Sequence, residues 1–201
     1  MRKSLSENTN PMHPRTIVIM GRPGSGKGTQ AQLLAKKINA REVSLGTQFR
    51  ALVAGNTYLG QRLKVGFEAG ELAPTWIADY LCEKELLFLE QTETVVFDSG
   101  CRIRSEAILF NDIHEWLKRD YVVVYIEVSE SEIRSRIIKR QGIEGRADDA
   151  QNAIVKRIQE FDEKTTQSID YFKSIGKLLV VQGEQSVEDV QREVLKVLKI
   201  A

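Results

Sequence analysis

The chain reads as an α/β fold, a three-layer sandwich around a five-stranded parallel sheet. Three observations carry that reading. A glycine-rich loop, Gly21-Arg22-Pro23-Gly24-Ser25-Gly26-Lys27, lies between a short β-branched run and a helical pattern. Apolar, β-rich runs alternate with helical stretches along the chain, which argues for parallel strands with helices on both faces. At 201 residues the chain is long enough for one well-filled core.

The first strand is expected at 16–20, Thr-Ile-Val-Ile-Met, and a helix at 31–38. Strand, glycine loop, helix is the setting that a phosphate-binding loop (P-loop) needs. Glycines let successive backbone N–H groups turn inward around a polyphosphate. The helix N-terminus adds partial positive charge, and Lys27 adds a full one. The loop therefore predicts a bound nucleoside triphosphate, with Gly24, Ser25, Gly26, Lys27, Gly28 and Thr29 around its phosphates. Gly28 follows the lysine where most such loops carry Ser or Thr, and the hydroxyl arrives one place later at Thr29. No direct protein ligand to Mg²⁺ is expected for that reason, only nearby groups at Thr29 and Asp98.

A weak strand follows at 41–44. From 46 to about 74 the pattern is helical with no strand, punctuated by Gly55, Gly60, Gly66 and Gly70. It reads as a small helical insertion able to move as a body, with most of these glycines at turns. Further strands are expected at 94–98, 121–128 and 177–181, the first two as continuous apolar runs like those of buried parallel strands. Helices are expected at 105–118, 129–140, 149–164 and 186–200. The link at 140–149 is short, charged and glycine-containing, and Arg136, Arg140, Arg146 and Arg157 fall in or beside it. Four arginines near the phosphate end favour anion contacts over a solvated face, because the planar guanidinium donates in pairs.

The whole-chain balance narrows the function classes. With 29 basic and 28 acidic residues the net charge is +1, which supports neither a nucleic-acid nor a membrane surface. No apolar run approaches a membrane span. Cys82 and Cys101 have no metal-like spacing and read as buried thiols of a reducing compartment. Residues 1–15 are polar and read as a loose tail without the apolar core of a signal peptide. His13 and His114 lack partners at catalytic spacing, and Trp76 and Trp116 read as helix packing residues.

From residue 16 onward the chain resembles the adenylate kinase family of nucleoside monophosphate kinases. The resemblance rests on Gly24-Ser25-Gly26-Lys27-Gly28-Thr29-Gln30, Ser44-Leu45-Gly46-Thr47-Gln48-Phe49-Arg50 and Ala69-Gly70-Glu71-Leu72-Ala73-Pro74. It continues at Asp98 with Arg102, Arg136 to Arg140, Gly145 to Asp149, Arg157 and Val180-Val181-Gln182-Gly183. It implies one kinase domain over 16–201, with an insertion that binds the monophosphate at about 45–74 and a short lid at about 140–148. It implies a cytoplasmic monomer that uses Mg²⁺ and ATP with a monophosphate acceptor, most simply AMP. It implies that Arg136 lies against the ATP base, with the Gln185 backbone near it. Arg140, Arg146 and Arg157 would clamp the phosphates being joined, while Arg50 and Arg102 bind the acceptor's phosphate. Asp98 would hold the water shell of Mg²⁺, Leu72 and Ala73 would line the acceptor base, and Asp148 and Asp149 would help position the lid arginines.

The acceptor side departs from the family's pattern. Where the family usually has Asp-Gly-Phe-Pro-Arg, this chain has Asp98-Ser99-Gly100-Cys101-Arg102. Without the proline, the Gly100–Cys101 bond is expected to be trans. Thr47 stands for the family's Asp, Leu45 for its Thr and Glu106 for its Gln. An ionised carboxylate only accepts hydrogen bonds, which suits guanine or cytosine better than the adenine edge. Leu45, Ser99 and Glu106 are therefore expected to shape acceptor choice. AMP leads, with CMP, UMP or GMP as alternative acceptors and a catalytically impaired nucleotide-binding module as the remaining alternative.

Overall fold

The computed structural model describes residues 13–144 and 151–201, with side chains at all of these except 138, 140–144 and 151–153. Strands β1 (Thr16–Gly21), β2 (Arg41–Ser44), β3 (Val95–Asp98), β4 (Tyr121–Glu127) and β5 (Leu178–Gln182) form one sheet in the order β2-β3-β1-β4-β5. Every pairing is parallel, and Thr16 lies level with both Val95 and Tyr121. This is the parallel α/β sandwich that the alternation predicts.

The inner strands β1, β3 and β4 read as largely apolar runs because both of their faces are covered. Along β1, Val18 and Met20 join one core with Phe97, Phe110 and Phe172. Ile17 and Ile19 join a second core with Leu34, Ile133, Ile137 and Val194. Helices α1 (Lys27–Lys37), α6 (Glu130–Glu144), α7 (Gln151–Glu160) and α9 (Val187–Val197) contribute to the second core. Helices α2 (Leu45–Ala54), α3 (Tyr58–Glu68), α4 (Thr75–Leu87), α5 (Arg104–Trp116) and α8 (Thr166–Ser174) contribute to the first core.

Local signals set several helix starts. The Ser44 hydroxyl accepts from the Thr47 N–H at the head of α2, the Thr57 hydroxyl from Gly60 N–H in α3, and the Ser186 hydroxyl from Asp189 N–H in α9. Two helices lie outside the sequence reading. In α4 apolar residues stand all round the helix: Ile77, Ala78 and Leu81 are buried while Trp76, Tyr80 and Leu87 are exposed. No stripe results, so periodicity is silent there. Helix α8 follows a single π turn, Phe161–Thr165, which continues α7. A π turn rotates the apolar face relative to the preceding helix and hides the continuation from a 3.6-residue pattern.

The topology places the functional end. The chain passes from β1 to β2 and β3 on one side, then crosses to β4 and β5 on the other. That reversal opens a crevice at the carboxyl ends of the strands, where Gly21, Ser44 and Asp98 stand. Among the described residues, no helix is long and apolar enough to cross a membrane.

Candidate active site

The glycine loop leaves β1 at Gly21 and closes through Gly24 and Gly26, both at φ 88, a conformation open to glycine at little cost. Gly26 sits at the N-cap of α1 and no side chain caps that end. The first N–H groups of α1 are thus left for an anion, and Lys27 opens the helix. Arg136 of α6 is fixed beside the loop. Its Nε donates to Glu132 Oε1 at 2.7 Å and its Nη2 to the Gly183 carbonyl at 2.8 Å. Its Nη1 reaches the Ser25 carbonyl at 3.4 Å, so this one guanidinium links the loop to the exit of β5.

Asp98, at the end of β3, crowds the residue that follows the lysine. A Cβ on Gly28 would lie 3.1 Å from Asp98 Oδ2, a tight contact that the carboxylate would have to ease by a few tenths of an ångström. Ser44 Oγ donates to the same Oδ2 at 3.1 Å, Thr47 Oγ1 donates to Ser44 Oγ at 3.1 Å, and Arg50 Nη2 donates to Thr47 Oγ1 at 2.9 Å. Asp98 Oδ1 is buried and has no hydrogen-bond partner among the described residues. An orphaned carboxylate oxygen of this kind suits a water held by a divalent cation. Nearby on β2, burial and then the Asp98 charge push the Glu42 carboxyl above its ordinary value.

The altered acceptor segment is an ordered turn. Ser99, Gly100 and Cys101 all take positive φ, at 69, 147 and 51. No peptide bond among the described residues is cis, so Gly100–Cys101 is trans as expected. The Ser168 hydroxyl of α8 donates to the buried Cys101 carbonyl. Arg102 is partly buried with its guanidinium 5.3 Å from the centre of the Phe49 ring. Burial lowers its pKa from the ordinary value, against a raising effect from Glu106.

Glu106, which the sequence reading sets against the acceptor base, makes a main-chain contact. Its side chain turns back under the start of α5, where Oε2 accepts the Arg102 backbone N–H at 2.6 Å. It is 8% exposed and lines a small cavity of about 20 Å³ that shares Leu45, Gly100 and Arg102 with the main cleft. Burial raises its carboxyl pKa, while the Arg102 charge and backbone N–H groups oppose the rise. No side-chain cap bond serves the N-cap residue Ile103, and the chain at the start of α5 offers backbone N–H groups to the Glu106 carboxyl.

One cleft of about 570 Å³ collects most of the remaining predicted residues. Gly24, Gly26, Lys27, Gly28, Thr29, Arg136 and Arg157 line it, as do Leu45, Arg50, Leu72, Ala73, Asp98, Ser99 and Arg102. Ser25 is buried beneath the loop and Gln185 is exposed, and neither side chain lines the cleft. Arg146, Asp148 and Asp149 lie outside the described residues, and so does the side chain of Arg140, whose backbone belongs to α6. The cleft also contains Phe49, Phe67, Phe161 and Thr165, which the sequence reading does not single out. Only Phe49 carried a signal, its place beside Arg50. Among the described residues no group of three or more His, Cys, Asp or Glu could hold a metal ion.

Comparison with known proteins agrees with this geometry. A family model described as Adenylate kinase matches residues 19–177. The chain is 34% identical over 181 residues to the adenylate kinase of Corynebacterium urealyticum, which spans 89% of this chain and 96% of that protein. It is 33% identical over 187 residues to an adenylate kinase of Thermus thermophilus, spanning 92% and 98% of the two chains. It is 30% identical over 183 residues to the adenylate kinase of Leptospira biflexa, spanning 90% and 98%.

Proposed function

Since the chain belongs to the adenylate kinase family, and with it is an ATP-dependent nucleoside monophosphate kinase, we propose that its cleft passes the γ-phosphoryl group of MgATP to AMP, reversibly, giving two ADP. The observation that carries this reading is that a single cleft holds both the glycine loop with Lys27 and the pair Arg50 and Arg102. A triphosphate and a second, phosphate-bearing acceptor then share one space.

The chemistry is positioning and charge neutralisation. Phosphoryl transfer needs no covalent intermediate and little general-base help. The loop N–H groups and Lys27 hold the ATP phosphates, and Arg136 flanks the ATP base beside the Gln185 backbone. Arg50 and Arg102 hold the acceptor's phosphate in line, with Leu45, Leu72 and Ala73 against its base. Arg157, joined by Arg140 and Arg146, neutralises charge that spreads over the moving group. Asp98 and Thr29 would hold the water shell of a Mg²⁺ bound with ATP, which would supply further charge neutralisation. The segment at about 45–74 closes over the substrates, so that water does not become the acceptor.

The test is an acceptor panel. With saturating MgATP, AMP is expected to show kcat/KM at least about tenfold above GMP, CMP and UMP, a ratio within reach of a few discriminating contacts. A different preferred monophosphate would overturn the AMP assignment. ATP binding with no transfer to any monophosphate would favour a nucleotide-binding module instead.

A further inference from the structure

We infer that Phe49 and Glu106 are positioning residues for Arg102, and that they set the affinity for the acceptor's phosphate whatever base it carries. The inference rests on the proposed reading of Arg102 as an acceptor-phosphate ligand.

Arg102 follows directly on Ser99, Gly100 and Cys101, three consecutive residues at positive φ. Ser99 and Cys101 occupy a region that L side chains rarely adopt, so this turn persists only where its surroundings hold it. Four contacts from outside do so. Ser99 N–H donates to the Ile19 carbonyl at 3.1 Å, and the Ser168 hydroxyl donates to the Cys101 carbonyl. The other two act on Arg102 itself. Its backbone N–H donates to Glu106 Oε2 at 2.6 Å, and its guanidinium lies 5.3 Å from the Phe49 ring centre.

The two ends of Arg102 are thus held by different elements. Glu106, in the first turn of α5, fixes the main chain from which the side chain departs. Phe49, 4% exposed on α2, supplies an aromatic face over which the guanidinium sits. Phe49 directly precedes Arg50, so α2 carries one phosphate-binding arginine and the platform for the other. A side chain ordered before binding loses less freedom when the phosphate arrives, which is how such contacts raise affinity for it. The observed contact of Glu106 is with the Arg102 main chain, so its carboxyl acts through Arg102.

The experiment measures KM and kcat for AMP, GMP and CMP at saturating MgATP in the full chain and in F49L, E106A and E106Q. F49L and E106A are expected to raise KM by about tenfold for every active acceptor, with kcat and the KM for ATP within about threefold of wild type. E106Q keeps a carbonyl oxygen for the Arg102 N–H and is expected to restore KM to within about threefold, with the acceptor ranking unchanged. Re-ranking of acceptors in E106Q would overturn the inference, as would unchanged KM values in F49L together with E106A. If E106A fails to fold, F49L and E106Q decide the question. Wild type that phosphorylates no monophosphate would bring down the functional reading itself, whereas active wild type with unaffected variants would bring down this inference alone.

Discussion

Lowering the pH should destabilise this protein through His114, a residue with no part in the cleft. His114 is 1% exposed on α5, with ring centres of Phe110 and Tyr121 at 4.2 and 4.7 Å. Nδ1 lies 2.8 Å from the Phe110 carbonyl oxygen, which assigns the proton to that nitrogen, and Nε2 has no partner among the described residues. A second proton would place a charge in a dry aromatic site, near the positive Arg119 and Lys177. Burial first, then those charges, push the pKa down to about 4 against the raising effect of the Phe110 carbonyl. The sign follows: above about pH 6.5 both folded and unfolded chains hold neutral His114, and no penalty exists. Between about pH 6.5 and 4 the unfolded chain binds a proton that the folded chain refuses, so stability falls with pH. The gap from an ordinary value near 6.5 to about 4 corresponds to about 3 kcal/mol in total, at about 1.36 kcal/mol per pH unit. Urea unfolding from pH 7 to 4.5 on wild type and H114F isolates it, because carboxylate effects are common to both. Wild type should lose about 2 kcal/mol more than H114F over that range. Parallel stability curves would refute the reasoning.

Three further outcomes follow from the site and its supports. K27M should reduce kcat/KM by at least about a thousandfold with little change in Tm, since the charge acts on the transferred phosphoryl group; a loss under tenfold in steady-state kinetics would argue against its role. G28A brings a Cβ to 3.1 Å from Asp98 Oδ2 and should lower kcat by about tenfold, by displacing the carboxylate; unchanged kcat would mean that the position of Asp98 is immaterial. S168A removes the donor to the buried Cys101 carbonyl and should cost about 1–3 kcal/mol of stability. That loss appears as a Tm lowered by several degrees, and an unaltered Tm would show that the turn holds without it.

The strands and the glycine loop were legible because their signals are local. A β-branched run, positive-φ glycines and a lysine at a helix start each announce themselves within a few residues. The crowding at Gly28 lies outside any local pattern, since Asp98 approaches it from a strand seventy residues away. The same distinction separates Arg50 from Glu106. Arg50 reaches the cleft from a short capped helix whose Ser44 start is visible in the sequence. Glu106 carries two competing readings, a base contact and a helix-start acceptor, and bare residue identity does not separate them. The uncapped head of α5 favours the second. Phe49 was invisible as a partner of Arg102 because contact across fifty residues leaves no periodic trace. Helices α4 and α8 escaped for the reasons given by their surfaces: apolar residues on every side in one, a π turn upstream in the other.

The most direct test of two phosphate sites meeting in one cleft uses a single nucleotide. Purified protein is incubated with Mg²⁺ and ADP alone, and the products are followed by ³¹P NMR. Two bound ADP molecules, one on the glycine loop and one on Arg50 and Arg102, should yield ATP and AMP in equal amounts until equilibrium. ADP that persists unchanged, or that releases inorganic phosphate without ATP, would contradict the proposed transfer between the two sites.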